Sequence, residues 1–263
     1  MVRRFPLVGS DQPDARWGVI EYVKRALLCS TALLFALPAA AGLGTIEVHQ
    51  VIALPVQDHE NVVALTLDAC GGKFDADLIG YLIAHRIPAT IFATKKWLDR
   101  NPAGVALLKA NSDLFEIEDH GANHVAPVVG AGRSVFGIPG SPDLAHLERE
   151  ILGGASAVQT ITGEAPRWYR GATAEYDPAA IKVIQSMGYR IAGFSVNADA
   201  GATLPRAAIV ARLDQVKSGD IIIAHMNKPA SDTAEGLAEG IQRLLARGFR
   251  FVRLDQARVR PVR

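Results

Sequence analysis

The sequence predicts an α/β fold: a mostly parallel sheet or barrel with helices on the outside. Three observations carry this. Short apolar runs rich in Val, Ile and Phe alternate, at βα spacing, with stretches of helical periodicity. Several of those runs end on a polar residue, as buried parallel strands do where they meet a site. Hydrophobic residues make up 49% of 263 residues and glycines number 24, which suits a globular α/β chain with many tight turns.

The start of the chain differs in kind. Lys24-Arg25 precedes a dozen apolar residues ending at Leu37, and Ala39-Ala40-Ala41 follows. A basic edge, a short apolar stretch and an A-x-A site describe a secretory signal peptide over 1–41, cleaved after Ala41. The apolar run is too short for a membrane span. The expectation is therefore a periplasmic or secreted protein with no further transmembrane segment. Removing residues 1–41, with five basic and three acidic side chains, turns 28 basic and 27 acidic residues into 23 and 24. That balance gives no electrostatic case for nucleic acid or anionic lipid as a partner. Cys29 leaves with the leader, so Cys70 is the one remaining cysteine and no intrachain disulfide forms.

Residues 42–59 read as a lead-in with a short strand over 45–52 and no site candidate, His49 and His59 being solvated. The continuous apolar run 61–68 ends on Asp68, and Ala69-Cys70-Gly71-Gly72 is its turn. Asp75 is an N-cap for a helix over 76–85. A strand over 88–93, a helix over 101–110 and a strand over 114–117 follow. Just past the last of these lies Asp119-His120-Gly121-Ala122-Asn123-His124. Two imidazoles four positions apart reach one divalent cation at about 2.0–2.1 Å, and they lie past a strand end, where open α/β folds build their sites.

Residues 125–141 form a long Gly- and Pro-punctuated connection, a wall of the cleft. Beyond it come a helix over 142–160, a strand ending on Arg170, a helix over 178–187 and a strand over 189–196. That strand runs into Asn197-Ala198-Asp199. A helix over 206–217, a strand ending on His225, a helix over 233–246 and a strand over 250–254 close the domain. His85 and His146 fall on exposed helix positions, while Trp97, Trp168 and Tyr169 pack in the core or rim. Asp68, His120, His124, Arg170, Asp199 and His225 thus lie at or just past strand ends, which a parallel barrel gathers at one mouth. The chemistry that suits them is metal-assisted hydrolysis: a cation for the carbonyl, a carboxylate for the water's proton, and a separate imidazole for the leaving atom.

In order and spacing these pieces resemble the NodB-homology polysaccharide deacetylases, carbohydrate esterase family four, over roughly residues 60–255. The family's T-F-D-D-G reads here as Thr66-Leu67-Asp68-Ala69-Cys70-Gly71, and its H-[ST]-x-x-H as His120-Gly121-Ala122-Asn123-His124. R-x-P-Y is reduced to Arg170-Gly171-Ala172-Thr173, D-x-x-D-W to Asn197-Ala198-Asp199, and L-x-H is Ile223-Ala224-His225. The resemblance implies a catalytic domain over 60–258 folded as the family's distorted (β/α) barrel. It implies Asp68 as general base, His120 and His124 as metal ligands, Arg170 orienting Asp68, and His225 as general acid with Asp199 as its partner. Ile223 would line the pocket for the acetyl methyl, with Tyr176 substituting for the lost Tyr of the third motif. The implied cofactor is a divalent metal, zinc first and cobalt or nickel otherwise. The implied partner is an N-acetylated glycan.

One departure matters. The second Asp of the first motif, the family's third metal ligand, is Ala69 here, which has no donor atom. Asp68 in double duty is the favoured replacement. Cys70 as thiolate in a His₂Cys set suited to zinc, and Asp119 or Asp75, are the other replacements, and a site that binds metal feebly or not at all is the remaining reading. The expected activity is removal of N-acetyl groups from an amino-sugar polymer or oligomer. O-deacetylation of a polysaccharide and a catalytically inactive carbohydrate-binding relative are the alternatives.

Overall fold

The computed structural model describes residues 44–54 and 61–262, so the leader predicted over 1–41 and His59 lie outside the described part. Among the described residues no helix is long and apolar enough to cross a membrane. The chain alternates as the spacing predicts: β1 (Asn61–Ala69), α1 (Ala76–Ala84), β2 (Ala89–Ala93), α2 (Lys95–Arg100), α3 (Pro102–Ala110) and β3 (Phe115–Asp119). After α4 (Leu144–Thr162) come β4 (Trp168–Tyr169), α5 (Pro178–Ser186), β5 (Arg190–Ile191), β6 (Val196–Asn197), α6 (Arg206–Asp214), β7 (Ile221–His225), α7 (Thr233–Ala246) and β8 (Phe249–Val252).

All pairings in the main sheet are parallel, in the order β5-β4-β3-β2-β1-β7-β6. β8 pairs with the first half of β1, below β2 on the same edge. Closure comes from one stretch of chain. Arg190–Ile191 pairs with one end of the sheet and Val196–Asn197 with the other. The sheet therefore curls until residues 190–197 bridge its two ends, the distorted barrel that the family resemblance implies.

The strand expected over 189–196 is interrupted for a packing reason. Gly193 passes so close to the lead-in that a Cβ there would lie 2.0 Å from the Val48 carbonyl oxygen. Between the two short strands, Phe194 N donates to Val48 O (3.2 Å) and Gln50 N to Phe194 O (3.0 Å). The lead-in strand itself splits in two, Ile46–Glu47 pairing with Glu175–Tyr176 and Gln50–Ile52 with Val259–Pro261. Helix α2 is a further difference. It starts directly off β2 because the Thr94 hydroxyl accepts from Trp97 N at 3.0 Å, an N-cap, and Asn101-Pro102 then opens α3. The long connection holds three short strands, Ala126–Val129, Ser134–Val135 and Ile138–Ser141, in a small sheet of their own.

The two-residue period of β1 sorts its side chains. Val63, Leu65, Leu67 and Ala69 pack in the apolar layer under the helices with Leu78, Trp97 and Leu237. Val62 and Ala64 face the barrel interior with Phe92, Trp168 and Ile223. The same alternation carries the inner face on through Thr66 and Asp68 to Cys70.

Strand β3 places Glu116 and Glu118 on one face, two residues apart. Burial, opposed by hydrogen bonds from Trp168 N and Arg167 N and reinforced by Glu116, raises the Glu118 carboxyl from 4.5 to about 9. Between those values the folded chain holds a proton that the unfolded chain has released. Stability contributed by Glu118 is thus intact below its unfolded pKa and falls as pH rises toward 9, by at most about 1.4 kcal/mol per pH unit. Glu118→Gln mimics the protonated form. Urea midpoints measured at about pH 5 and about pH 8.5 are expected to converge in the variant relative to wild type; an equal fall in both would rule out Glu118 as the source.

Candidate active site

The polar ends of β1, β3, β4 and β7 meet at one mouth. Asp68 ends the inner face of β1 and is 4% exposed. Its Oδ1 accepts from Arg170 Nη1 at 2.8 Å, and its Oδ2 lies 3.8 Å from His120 Nε2. Arg170 is fully buried, and each of its three side-chain nitrogens donates. Nη1 also donates to Thr66 Oγ1 (2.9 Å), Nε to Ala192 O (3.2 Å) and Nη2 to Gly193 O (3.2 Å). Its guanidinium carbon lies 4.2 Å from the centre of the Phe92 ring. Burial works against a charge on Asp68, but Arg170, then His120 and His225, outweigh it and hold the carboxyl below its usual range.

His120 follows β3 on the inner face and is buried. Its Nδ1 donates to the Arg170 carbonyl oxygen at 2.5 Å. That bond fixes the tautomer and leaves Nε2 as the free nitrogen, the arrangement metal-ligating histidines adopt. Nε2 meets Cys70 Sγ at 3.4 Å. The His124 ring lies 5.1 Å from that of His120, centre to centre, at 66°. The Cys70, His120 and His124 donor atoms lie within 4.8 Å of one another. Burial disfavours the Cys70 thiolate, yet His120, with His124 and His225, brings the thiol well below its usual range. Asp68 and Cys70 act the other way on His120, overcoming burial to lift it to about 9.

These donors fit a divalent cation. With zinc–sulfur near 2.3 Å and zinc–nitrogen at about 2.0–2.1 Å, tetrahedral S and N donors stand about 3.5 Å apart. Cys70 Sγ and His120 Nε2 stand at 3.4 Å. Neither Asp119 nor Asp75, weighed as replacements for the missing acid, is brought to this cluster. Asp119 faces outward against α4, so near that a Cβ on Gly154 would lie 2.0 Å from its Oδ1. Asp75 caps α1, accepting from Leu78 N at 3.0 Å.

His225 ends β7, partly exposed at the mouth. Its Nδ1 donates to Asp199 Oδ1 at 2.9 Å, and its backbone N to Asp199 Oδ2 at 2.8 Å. Thr233 Oγ1 also donates to Asp199 Oδ2, at 3.1 Å, a partner no sequence pattern flagged. Burial opposes protonation of His225, but the hydrogen bond to Asp199, and Cys70 beside it, raise its pKa well above the ordinary histidine value. Ile223 lies two residues below on the same face, buried against the interior cluster. Tyr176 lies near enough to Arg170 and Asp68 for its phenol to feel both charges. It is buried with Leu147 and Ile184, and its hydroxyl accepts from Gly171 N at 2.9 Å, bracing the turn after Arg170. Trp97, Trp168 and Tyr169 are all core residues, while His49, His85 and His146 are exposed.

Comparisons with known proteins agree with this architecture. A family model described as polysaccharide deacetylase matches residues 56–192, more than half the chain. Among solved structures, a carbohydrate esterase family four pseudoenzyme from Bacillus anthracis is similar at a TM-score of 0.59 and 16% identity. The alignment covers 75% of this chain and 65% of that one, a little under two thirds. A peptidoglycan N-acetylglucosamine deacetylase (Bc1960) gives 0.63 and 20%, over 75% of this chain and 88% of that one. A family four acetyl xylan esterase from Clostridium thermocellum, in complex with cobalt, gives 0.59 and 21%, over 74% and 89%. A search of curated proteins found no match. These solved structures share the fold of this chain. The chain belongs to the polysaccharide deacetylase family.

Proposed function

We propose that this protein is an exported, metal-dependent hydrolase that removes N-acetyl groups from an amino-sugar polymer or oligomer. The observation that carries the reading is the convergence of Cys70, His120 and His124 donors beside the Arg170-held carboxylate of Asp68. Export rests on the leader read in residues 1–41. Cys70, in place of the Asp68 double duty that the motif comparison favoured, is the third ligand of the set. Strand alternation supports this choice, since it turns Ala69 into the apolar layer and returns Cys70 to the mouth. A thiolate with two imidazoles suits zinc, or cobalt in its place.

The chemistry a bound divalent cation supplies is Lewis acidity toward the acyl carbonyl and the attacking water. Asp68, kept ionised by Arg170, takes the proton from that water. His225 enters protonated and delivers its proton to the departing amine nitrogen, with Asp199 holding the ring in place. Ile223 lies under the acetyl methyl, and Tyr176 acts indirectly by fixing Gly171.

The test is acetate release by the zinc-loaded mature chain from an N-acetylated chitooligosaccharide, with acetylated xylan as the comparison. Preference for the first supports the proposal, and preference for xylan points to the O-deacetylation that the acetyl xylan esterase neighbour performs by its name. Loss of both activities, with no stoichiometric metal taken up, would favour a carbohydrate-binding relative, a reading that Ala69 and the pseudoenzyme neighbour motivate. For the general acid, His225→Ala is expected to cost at least about 10² in rate. The protonated form of His225 is stabilised by Asp199, so the alkaline limb of the kcat/KM profile lies above the ordinary histidine range. Asp199→Asn is expected to move that limb to lower pH; an unmoved limb assigns it to another group.

A further inference from the structure

The loop that carries both imidazoles makes costly backbone demands. Gly121 has φ +83° and His124 φ +68°; a left-handed histidine is uncommon and needs its surroundings to hold it there. From one element, Lys95 N and Lys96 N, at the start of α2, donate to the carbonyl oxygens of Gly121 and Ala122 at 3.0 Å each. From another, a single residue of α4 takes nearly everything else. Glu150 Oε1 accepts from Asn123 N (2.7 Å) and Val125 N (3.2 Å), the amides on either side of His124. Its Oε2 accepts from Asn123 Nδ2 at 3.2 Å, and its main-chain oxygen from Ala122 N at 2.9 Å.

Glu150 is only 5% exposed and sits on the apolar stripe of α4 with Leu147, Ile151 and Gly154. A carboxylate there would cost several kcal/mol if it were not met by donors, so its place is explained by the loop and not by helix packing. The loop is shaped to receive it in turn. A Cβ on Gly121 would lie 2.6 Å from Glu150 Oε1 and 3.2 Å from its Cγ and Cδ. The carboxyl thus fills the space that a side chain at 121 would need, where the family motif has Ser or Thr. Gly154, one turn on, has its own missing Cβ within 2.7 Å of the Gly121 carbonyl carbon and oxygen, which lets α4 approach this closely.

We infer that Glu150 is a positioning residue of the metal site. It fixes the left-handed turn at His124, and so the direction of that imidazole, without itself being among the converging donors. The inference rests on reading His120 and His124 as ligands. It is tested by zinc affinity, measured by competition with a chromophoric chelator, alongside circular dichroism and thermal melting of each variant. Glu150→Gln, which keeps an oxygen for the two amides, is expected to stay within about threefold of wild type. Glu150→Ala is expected to lose about 10- to 100-fold in affinity at a temperature where its fold is intact. A purely structural role would lower the melting temperature and leave affinity unmoved, and that result overturns the inference. If the alanine variant does not fold, Glu150→Asp keeps the charge but draws the carboxyl back by one methylene. A loss of about tenfold is then expected, and wild-type affinity overturns the inference again. A wild-type chain that binds no zinc would instead remove the metal reading beneath it.

Discussion

Replacing Asp68 with Asn is expected to lower acetate release by about 10²- to 10⁴-fold, the range a positioned general base contributes. The change is nearly isosteric. An amide oxygen still faces Arg170 Nη1, and the walls of the site do not move. What disappears is the basic oxygen whose Oδ2 lies 3.8 Å from His120 Nε2. The substitution also has a price in stability, because the fully buried Arg170 loses its counter-charge. Breaking a buried pair outright costs about 3–5 kcal/mol. The remaining acceptors at Thr66, Ala192 and Gly193, and the Phe92 ring, soften that cost. The rate is therefore to be read on protein shown by circular dichroism to be folded. Turnover within a few-fold of wild type would remove Asp68 from the chemistry.

Cys70→Ser is expected to weaken zinc binding by at least about 100-fold, the upper end of what a change outside the ligand set causes. Serine preserves size and polarity but is a poor zinc donor at neutral pH, while the fold should barely respond at a partly exposed strand end. The alternative assignment makes the opposite forecast. If Asp68 doubled as ligand, Cys70→Ser would leave affinity unchanged and Asp68→Asn would abolish it. Measuring both variants by chelator competition separates the two ligand sets.

Much of this architecture was legible in the sequence because it depends on short-range patterns. Continuous apolar strands ending on Asp68, Arg170 and His225 announced a parallel sheet with its polar ends together, and the spacing of His120 and His124 announced a loop that brings both imidazoles to one cluster. What stayed hidden depends on distant parts of the chain coming into contact. The break between β5 and β6 follows from Val48 crossing under Gly193, which no local pattern encodes. Helix α2 was missed because its cap, Thr94, immediately follows a strand whose apolar run masks the start signal. The proposed choice of Cys70 over Asp68 as third ligand has a partial basis in the sequence, since a two-residue period from 66 to 70 already puts Cys70, and not Ala69, on the inner face. Glu150 gave no functional signal at all. In sequence it is one acid on an amphipathic helix, and its purpose is visible only when residues 121–125 fold against it.

The most direct measurement is the absorption spectrum of the cobalt(II)-loaded chain. The account predicts one cobalt per chain, with a thiolate-to-cobalt charge-transfer band in the near ultraviolet that vanishes in Cys70→Ser. A chain that takes up no stoichiometric cobalt, or takes it up without that band, would contradict the proposed Cys70–His120–His124 centre.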